Sequence, residues 1–148
     1  MTRFVLAVAA ASMLVFAAQA TAADVFEGSR SRIGSVKPRL SGYYDVYDAA
    51  EKNRAGYVKR GASGRWDMYE RTLSGSYVRL GYVKGGSGDR WEIYEGCYGC
   101  FYEIAGYVRR GFDGRWNIYE QGDTSKVGYV KSGPGAPAAG AAYVLLIG

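Results

Sequence analysis

Cys97 and Cys100 are the residues of this 148-residue chain whose type and spacing come closest to a reactive site. Two thiols three residues apart can form a local disulfide, exchange with other thiols, or supply half of a zinc site. The chain has no histidine and no further cysteine, so a zinc site would lack its other usual ligands. No helix is predicted in front of the pair that could activate a thiol. We favour a structural disulfide, and redox-active or intermolecular pairing and free thiols remain as alternatives.

Catalysis finds little other support in the sequence. The absence of histidine removes the commonest general base, the commonest metal ligand and every Ser-His or Cys-His nucleophile pair. We find no phosphate-binding glycine loop, nucleophile elbow or calcium-loop pattern. The sequence therefore predicts a protein that is not an enzyme and that uses no cofactor and no metal.

The first 22 residues have the layout of a secretory signal peptide. Arg3 precedes an apolar run over residues 4–16, and small residues follow, with cleavage options after Ala20 or Ala22. The run is short for a membrane anchor, which is the alternative reading. We predict an exported protein, periplasmic or secreted, in which residues 23–32 form an N-terminal linker.

Residues 33–132 are an internal repeat. A first motif, Gly-Tyr-Val-Lys/Arg in its best copies, has its glycines at Gly34, Gly56, Gly81, Gly106 and Gly128. A second motif, Arg-Trp-x-Ile/Met-Tyr-Glu, occupies residues 65–70, 90–95 and 115–120, and residues 43–48 fit the same frame. Five copies of the first motif thus alternate with four of the second. Periods of 22 to 25 residues indicate a repeat architecture.

Each motif is typical of a short β-strand, and glycine-rich turns separate the two motifs. We predict an all-β domain of four to five antiparallel hairpin repeats, closed into a pseudo-four-fold small barrel or propeller-like array, because closure removes exposed sheet edges. Residues 133–148 are predicted to be a Gly/Pro/Ala linker followed by a C-terminal strand. The predicted core side chains are Trp66, Trp91, Trp116, Met68, Ile93 and Ile118.

The alternation of Gly-Tyr-Val and Trp-x-Ile-Tyr-Glu strands over residues 33–132 resembles the small bacterial four-fold β-flower domains. That resemblance implies a fold and no established activity. The glycine-aromatic hairpins are more distantly similar to choline-binding cell-wall repeats. Tyr57, Tyr82 and Tyr107 stand where those repeats usually have tryptophan, which departs from a choline cage.

Two further sets of residues repeat with the strands. Basic residues flank the hairpin turns and predict a rim for anionic ligands: Lys59, Arg60, Arg65, Lys84, Arg90, Arg109, Arg110 and Arg115. Tyr69, Tyr94 and Tyr119 form a ladder that could stack on sugar rings. Solvated ion pairs and cross-strand ring packing are the structural alternatives for the two sets.

We therefore predict a cell-envelope binding or structural module for an anionic or glycan ligand. The partner would be an anionic polysaccharide, lipid head groups or an envelope protein, with no nucleic acid and no membrane-spanning segment. A redox or enzyme accessory that uses Cys97 and Cys100, and a docking subunit of a larger assembly, are the alternatives.

The disulfide hypothesis predicts that replacing both cysteines by serine lowers the melting temperature, because a crosslink restricts the unfolded chain. Thermal unfolding followed by circular dichroism, with and without reductant, measures this. A structural disulfide would be contradicted if the variant had the same melting temperature as the unreduced parent protein and if reductant left the melting temperature of the parent unchanged.

Overall fold

A computed structural model describes residues 22–96, 99–131 and 133–147. The strands are β1 (Ala23–Glu27), β2 (Ser31–Pro38), β3 (Tyr43–Asp48), β4 (Arg54–Arg60), β5 (Trp66–Arg71), β6 (Tyr77–Gly85), β7 (Arg90–Glu95), β8 (Glu103–Arg110), β9 (Trp116–Glu120) and β10 (Lys126–Val130). A short 3-10 turn at Ala62–Gly64 joins β4 to β5, and one helix, α1 (Ala136–Ile147), follows the last strand. The predicted signal peptide lies outside the described residues, except for Ala22.

The ten strands form one closed antiparallel barrel. Each strand pairs with its neighbours along the chain, and β1 pairs with β10 to complete the ring. The predicted all-β class and the predicted closure are therefore confirmed.

The barrel contains five equivalent hairpins, so the predicted four-fold arrangement is wrong. First-motif strands are β2, β4, β6, β8 and β10, and second-motif strands are β3, β5, β7, β9 and, beyond the predicted repeat, β1. Val25 of β1 lies opposite Val130 as Met68 lies opposite Val58, which makes Asp24-Val25-Phe26-Glu27 a fifth copy of the second motif. The predicted linker over residues 23–32 is instead this strand, a turn and the start of β2. The two ends of the repeat region together build the fifth hairpin.

Strand pairing alternates in the same five-fold pattern. Every step from a second-motif strand to the next first-motif strand carries a β-bulge, and every step in the other direction is regular. Bulges bend and twist a strand, and repeating them at equivalent positions curves the sheet toward closure. Each bulge directly precedes the glycine of the first motif.

The predicted C-terminal strand is wrong, because the chain turns into the barrel and forms α1. Pro137 lies in the first turn of the helix, where its missing N–H is not needed. Ten of the twelve helix residues are buried, and the helix contacts all ten strands. A helix that is apolar on every side has no amphipathic period, so its sequence is as typical of a buried strand as of a buried helix.

The barrel wall and the helix complement each other in size. One inward residue from each strand forms a fully buried middle layer: Val25, Val36, Val46, Val58, Met68, Val83, Ile93, Val108, Ile118 and Val130. Trp66, Trp91 and Trp116 are half-buried and pack against this core near the start of the helix, which is mostly alanine there. Toward the end of the helix the wall residues become glycine and the helix residues become large.

The glycines of the first motif leave space in the barrel wall for the large side chains of the helix. A Cβ on Gly34 would lie 2.5 Å from Leu146 Cδ1, and one on Gly128 would lie 2.6 Å from Tyr143 Cε2. At Gly56 a Cβ would overlap the carbonyl oxygen of Tyr69 and lie 3.0 Å from Leu145 Cδ1. Both the bulged backbone and the helix therefore require glycine at these positions.

We predict that Gly56→Ala destabilises the protein by about 1–3 kcal/mol, the usual range for overpacking a core. Gly85→Ala is the matched control, because a Cβ there has open space around it, and its effect should stay within about 0.5 kcal/mol. Urea unfolding midpoints measure both. Equal effects of the two substitutions would show that the glycine ladder does not determine the packing of the helix.

Candidate functional site

The two ends of the barrel differ in their loops. We call basic end the one formed by the hairpin loops 39–42, 61–65, 86–89 and 111–115, where β10 finishes and α1 begins inside the barrel. We call acidic end the opposite one, formed by loop residues 28–30, 49–53, 72–76, 96, 99–102 and 121–125, where α1 finishes.

Exposed charge is distributed unevenly between the ends. Among the described residues, the exposed cations of the basic end are Arg39, Arg60, Lys84, Arg109, Arg110 and Lys131, against the exposed carboxylates Asp89 and Asp113. At the acidic end the exposed cations are Arg30, Lys52, Arg71 and Lys126, against Glu27, Glu51, Glu103, Glu120 and Asp123. The excess of positive charge is therefore concentrated at one end.

The eight residues predicted to form the basic rim all lie toward this end, in three different environments. Arg60, Lys84, Arg109 and Arg110 are exposed. Lys59 is half-buried, with Nζ 4.9 Å from the ring centroid of Tyr69. The remaining three are held in ion pairs on the outer wall, Arg65 with Asp67, Arg90 with Glu92 and Arg115 with Asp113. Of the four exposed side chains, Lys84 lies over the ring of Tyr94 and Arg110 over that of Trp116, whereas Arg60 and Arg109 have neither an ion pair nor a ring contact within the described residues.

Two large apolar side chains protrude from the same end. Leu40 lies at the tip of the β2–β3 hairpin and Phe112 at the tip of the β8–β9 hairpin, and both are fully exposed. Sequence analysis missed them because neither belongs to the repeated motifs. Their position outside the strand pattern, in turns that otherwise hold small and polar residues, was the available signal.

The tyrosines form an ordered belt around the outside of the barrel. Four ring pairs on neighbouring strands stack with centroids 4.8 Å apart: Phe26–Tyr129, Tyr57–Tyr69, Tyr82–Tyr94 and Tyr107–Tyr119. Cations lie over these rings as well, including Lys84 over Tyr94 at 4.9 Å. The predicted aromatic platform, Tyr69, Tyr94 and Tyr119, is thus half-buried and engaged with neighbours within the belt.

Carboxylates between the rings form ion pairs with arginines of the barrel wall. Asp67 is buried, and Arg79 donates a hydrogen bond of 2.7 Å to its Oδ1 while Arg65 lies at 3.0 Å. Asp45, also buried, pairs in the same way with Arg39 and Arg54. Buried carboxylates of this kind are stable only with such partners, so these arginines are structural.

Tyr94 and Glu92 form a polar contact on the same belt. The Tyr94 hydroxyl donates a 2.7 Å hydrogen bond to Glu92 Oε2, and Arg90 donates to Oε1. The hydrogen bond to Glu92 raises the pKa of Tyr94 to about 12. Arg90, followed by Tyr94, lowers the pKa of the Glu92 carboxyl.

The acidic end carries a ring of equivalent carboxylates. Each copy of the second motif ends there in a carboxylate: Glu27, Asp48, Glu70, Glu95 and Glu120. None of them has an ion pair within the described residues. Nearby Glu51 behaves differently, because hydrogen bonds from Lys37 and Arg32 lower its pKa to about 2.

Two cavities open at the acidic end. A wide groove of about 1040 Å³ lies between the first residues of β6 and β8 and includes the exposed Phe101. A smaller cleft of about 300 Å³ runs between α1 and the inner wall of β7–β9. Cys100, one half of the predicted disulfide, also lies at this end. Cys97 lies outside the described residues, so its pairing with Cys100 stays a prediction.

Within the described ranges, no three His, Cys, Asp or Glu side chains are grouped closely enough to hold a metal ion. The same part of the chain contains no helix with the length and apolar character needed to cross a membrane. No family model, curated protein or solved structure matches this chain. The resemblances to β-flower and choline-binding repeats therefore remain resemblances.

We predict that Glu92→Gln lowers the pKa of Tyr94, because a neutral amide stabilises the protonated phenol less than the carboxylate does. A pKa raised on folding contributes stability that is fully present below about pH 10, the ordinary tyrosine value, and is lost as pH rises toward about 12. The free energy of unfolding of Glu92→Gln should therefore fall less between about pH 10 and about pH 12 than that of the parent. NMR titration of ring-labelled tyrosine measures the pKa, with Tyr94→Phe assigning the signal. An unchanged Tyr94 titration in Glu92→Gln would refute the contact.

Proposed function

We propose that this protein is an exported, non-enzymatic binding module whose basic end docks on an anionic lipid surface of the cell envelope. The observation that supports this most directly is the juxtaposition, at one end of a rigid barrel, of exposed cations and two protruding apolar side chains. The exported location rests on the predicted signal peptide.

The cations supply the larger share of the attraction. A lysine or arginine close to an anionic membrane contributes about 1 kcal/mol, and the contribution decays within a Debye length. Arg60, Lys84 and Arg109 are exposed and have no ion pair within the described residues. Arg60 and Arg109 can therefore approach phosphate groups without first breaking an internal contact, whereas Lys84 would first leave the ring of Tyr94.

Leu40 and Phe112 favour a lipid surface over a soluble anionic polymer. They lie in hairpin loops separated by several strands around the ring, so that both reach a flat surface facing this end. Apolar side chains flanked by basic ones are typical of proteins that insert shallowly at a membrane interface. A polysaccharide would use the charges and leave these two side chains in water.

The tyrosine belt supports a glycan function less well. Tyr69, Tyr94 and Tyr119 are each stacked on a neighbouring ring at 4.8 Å. A sugar would have to displace these contacts to stack on a ring face. The belt is better explained as packing that stiffens the barrel wall.

We predict that the protein binds vesicles containing phosphatidylglycerol, and that binding falls as salt is raised and is lost on phosphatidylcholine alone. The triple substitution Arg60→Gln, Lys84→Gln and Arg109→Gln should weaken binding by roughly tenfold or more, because three interfacial charges are removed. Leu40→Ser with Phe112→Ser should weaken it further at high salt, where screening leaves mainly the apolar contribution. Vesicle co-sedimentation measures each affinity.

The matched control is Arg30→Gln, Lys52→Gln and Arg71→Gln, which removes the same charge from exposed residues of the acidic end. It should retain most of the binding. An equal loss in both triple variants would mean that net charge rather than the basic end is recognised. Binding to soluble alginate that matches vesicle binding, with no effect of the Leu40 and Phe112 substitutions, would replace lipid by polysaccharide.

A further inference from the structure

The helix does not fill the barrel evenly, and the space it leaves forms the smaller cleft. This cleft has a volume of about 300 Å³ and lies between the last two turns of α1 and strands β7, β8 and β9. Its walls are mostly apolar, with Ile93 and Ile118 from the barrel and Val144 and Ile147 from the helix. Its volume is at the lower limit of small-molecule sites.

Gly106 shows where the five-fold packing is broken. At Gly34, Gly56 and Gly128, a helix side chain lies within 3.0 Å of the position a Cβ would take. At Gly106 the three atoms nearest to that position are all backbone atoms of β9. No helix side chain is therefore among the nearest neighbours of Gly106, which lies in the wall of the cleft.

The mouth of the cleft is negatively charged. Glu95 and Glu120 line it, and no lysine or arginine does. The helix ends beside them at Ile147 with no basic residue in its last turn, so its unpaired carbonyl groups add negative potential. Tyr143 is affected by the same charges, because burial first, and then Glu27 and Glu120, raise its pKa. An apolar interior behind an acidic opening has the polarity of a site for an amphiphilic cation.

We propose that this cleft binds a small amphiphile that carries one ammonium group on an apolar chain. The chain would lie against Ile93, Ile118 and Val144, and the ammonium would remain at the mouth between Glu95 and Glu120. This site is at the acidic end, so it is independent of the lipid-docking function proposed for the basic end. Either can fail while the other stands.

Octylammonium, octanol and octanoate test the proposal, because they share one chain and differ in charge. Isothermal titration calorimetry on the purified protein, below the concentrations at which these probes aggregate, should give an affinity for octylammonium roughly tenfold above that for octanol, the gain of a charge-assisted hydrogen bond. Octanoate should bind more weakly than octanol. Spermidine, which has charge without a continuous apolar chain, should bind no better than octanol.

Substitutions in the protein test whether these ligands bind in this cleft. Glu95→Gln with Glu120→Gln should reduce octylammonium to the affinity of octanol, while octanol binding stays unchanged. Glu103→Gln, an exposed carboxylate of the same end that does not line this cleft, is the matched control and should change neither. Val144→Phe or Ala105→Leu fills the cleft and should abolish both, with circular dichroism confirming that the variant is folded.

Several results would overturn the proposal. Equal affinities for octylammonium and octanol would remove the role of the carboxylates. Absence of any octylammonium binding, or binding that a folded cleft-filling variant retains, would remove the cleft as the site. Spermidine binding as tight as that of octylammonium would show that the rim carboxylates act alone.

Discussion

Ten strands enclose more space than their inward side chains can fill, and the rest of this structure depends on how that space is occupied. An eight-stranded barrel is about as wide as its own side chains can pack, and a wider one needs a further element inside. Here α1 supplies it, and the buried layer of one residue per strand closes around the helix. Large rings meet alanines at the basic end, and glycines meet Tyr143, Leu145 and Leu146 toward the acidic end. The glycine ladder is thus needed both for the bulges that curve the sheet and for the width of the helix.

The chain closes the ring with its two ends. Strand β1 stands in the place of a second motif beside β10, and the chain continues from β10 directly into the barrel. The backbone N–H of Lys131 donates to the carbonyl of Asp24 at the point where this passage begins. Ala23 occupies the position held by tryptophan in three other hairpins, and its small side chain leaves space near the passage. The fifth hairpin therefore departs from the consensus where the architecture requires room for the chain.

Most charged side chains on the barrel wall are engaged in contacts within the protein. Arg65 and Arg79 are bound to the buried Asp67 and lie over the ring of Tyr82, and the rings stack on one another around the barrel. The side chains available to partners are therefore those at the two ends of the barrel, outside the tyrosine belt. At one end these are the exposed cations with Leu40 and Phe112, and at the other the unpaired carboxylates with the open cleft. The two ends are opposite in charge because the second-motif strands finish with acidic residues at one end and the first-motif strands finish with basic residues at the other.

The sequence alone was enough to predict the strands β2 to β10, their hairpins and a closed all-β arrangement. Repeated glycines, β-branched residues and aromatic residues specify local structure, and equivalent units that share one pattern must pack in equivalent ways. It could also place the basic residues at one end, because they flank the turns.

The tertiary structure decided the rest. The apolar C-terminal segment contains no period that separates strand from helix, so only the space inside the barrel makes it helical. β1 has Ala23 where the other copies have tryptophan or tyrosine, so only its pairing with β10 shows that the symmetry is five-fold. Which arginines stay free depends on carboxylates from neighbouring strands, as with Arg79 and Asp67. Gly106 has the same sequence context as the other ladder glycines, yet only the position of the helix leaves a cleft beside it.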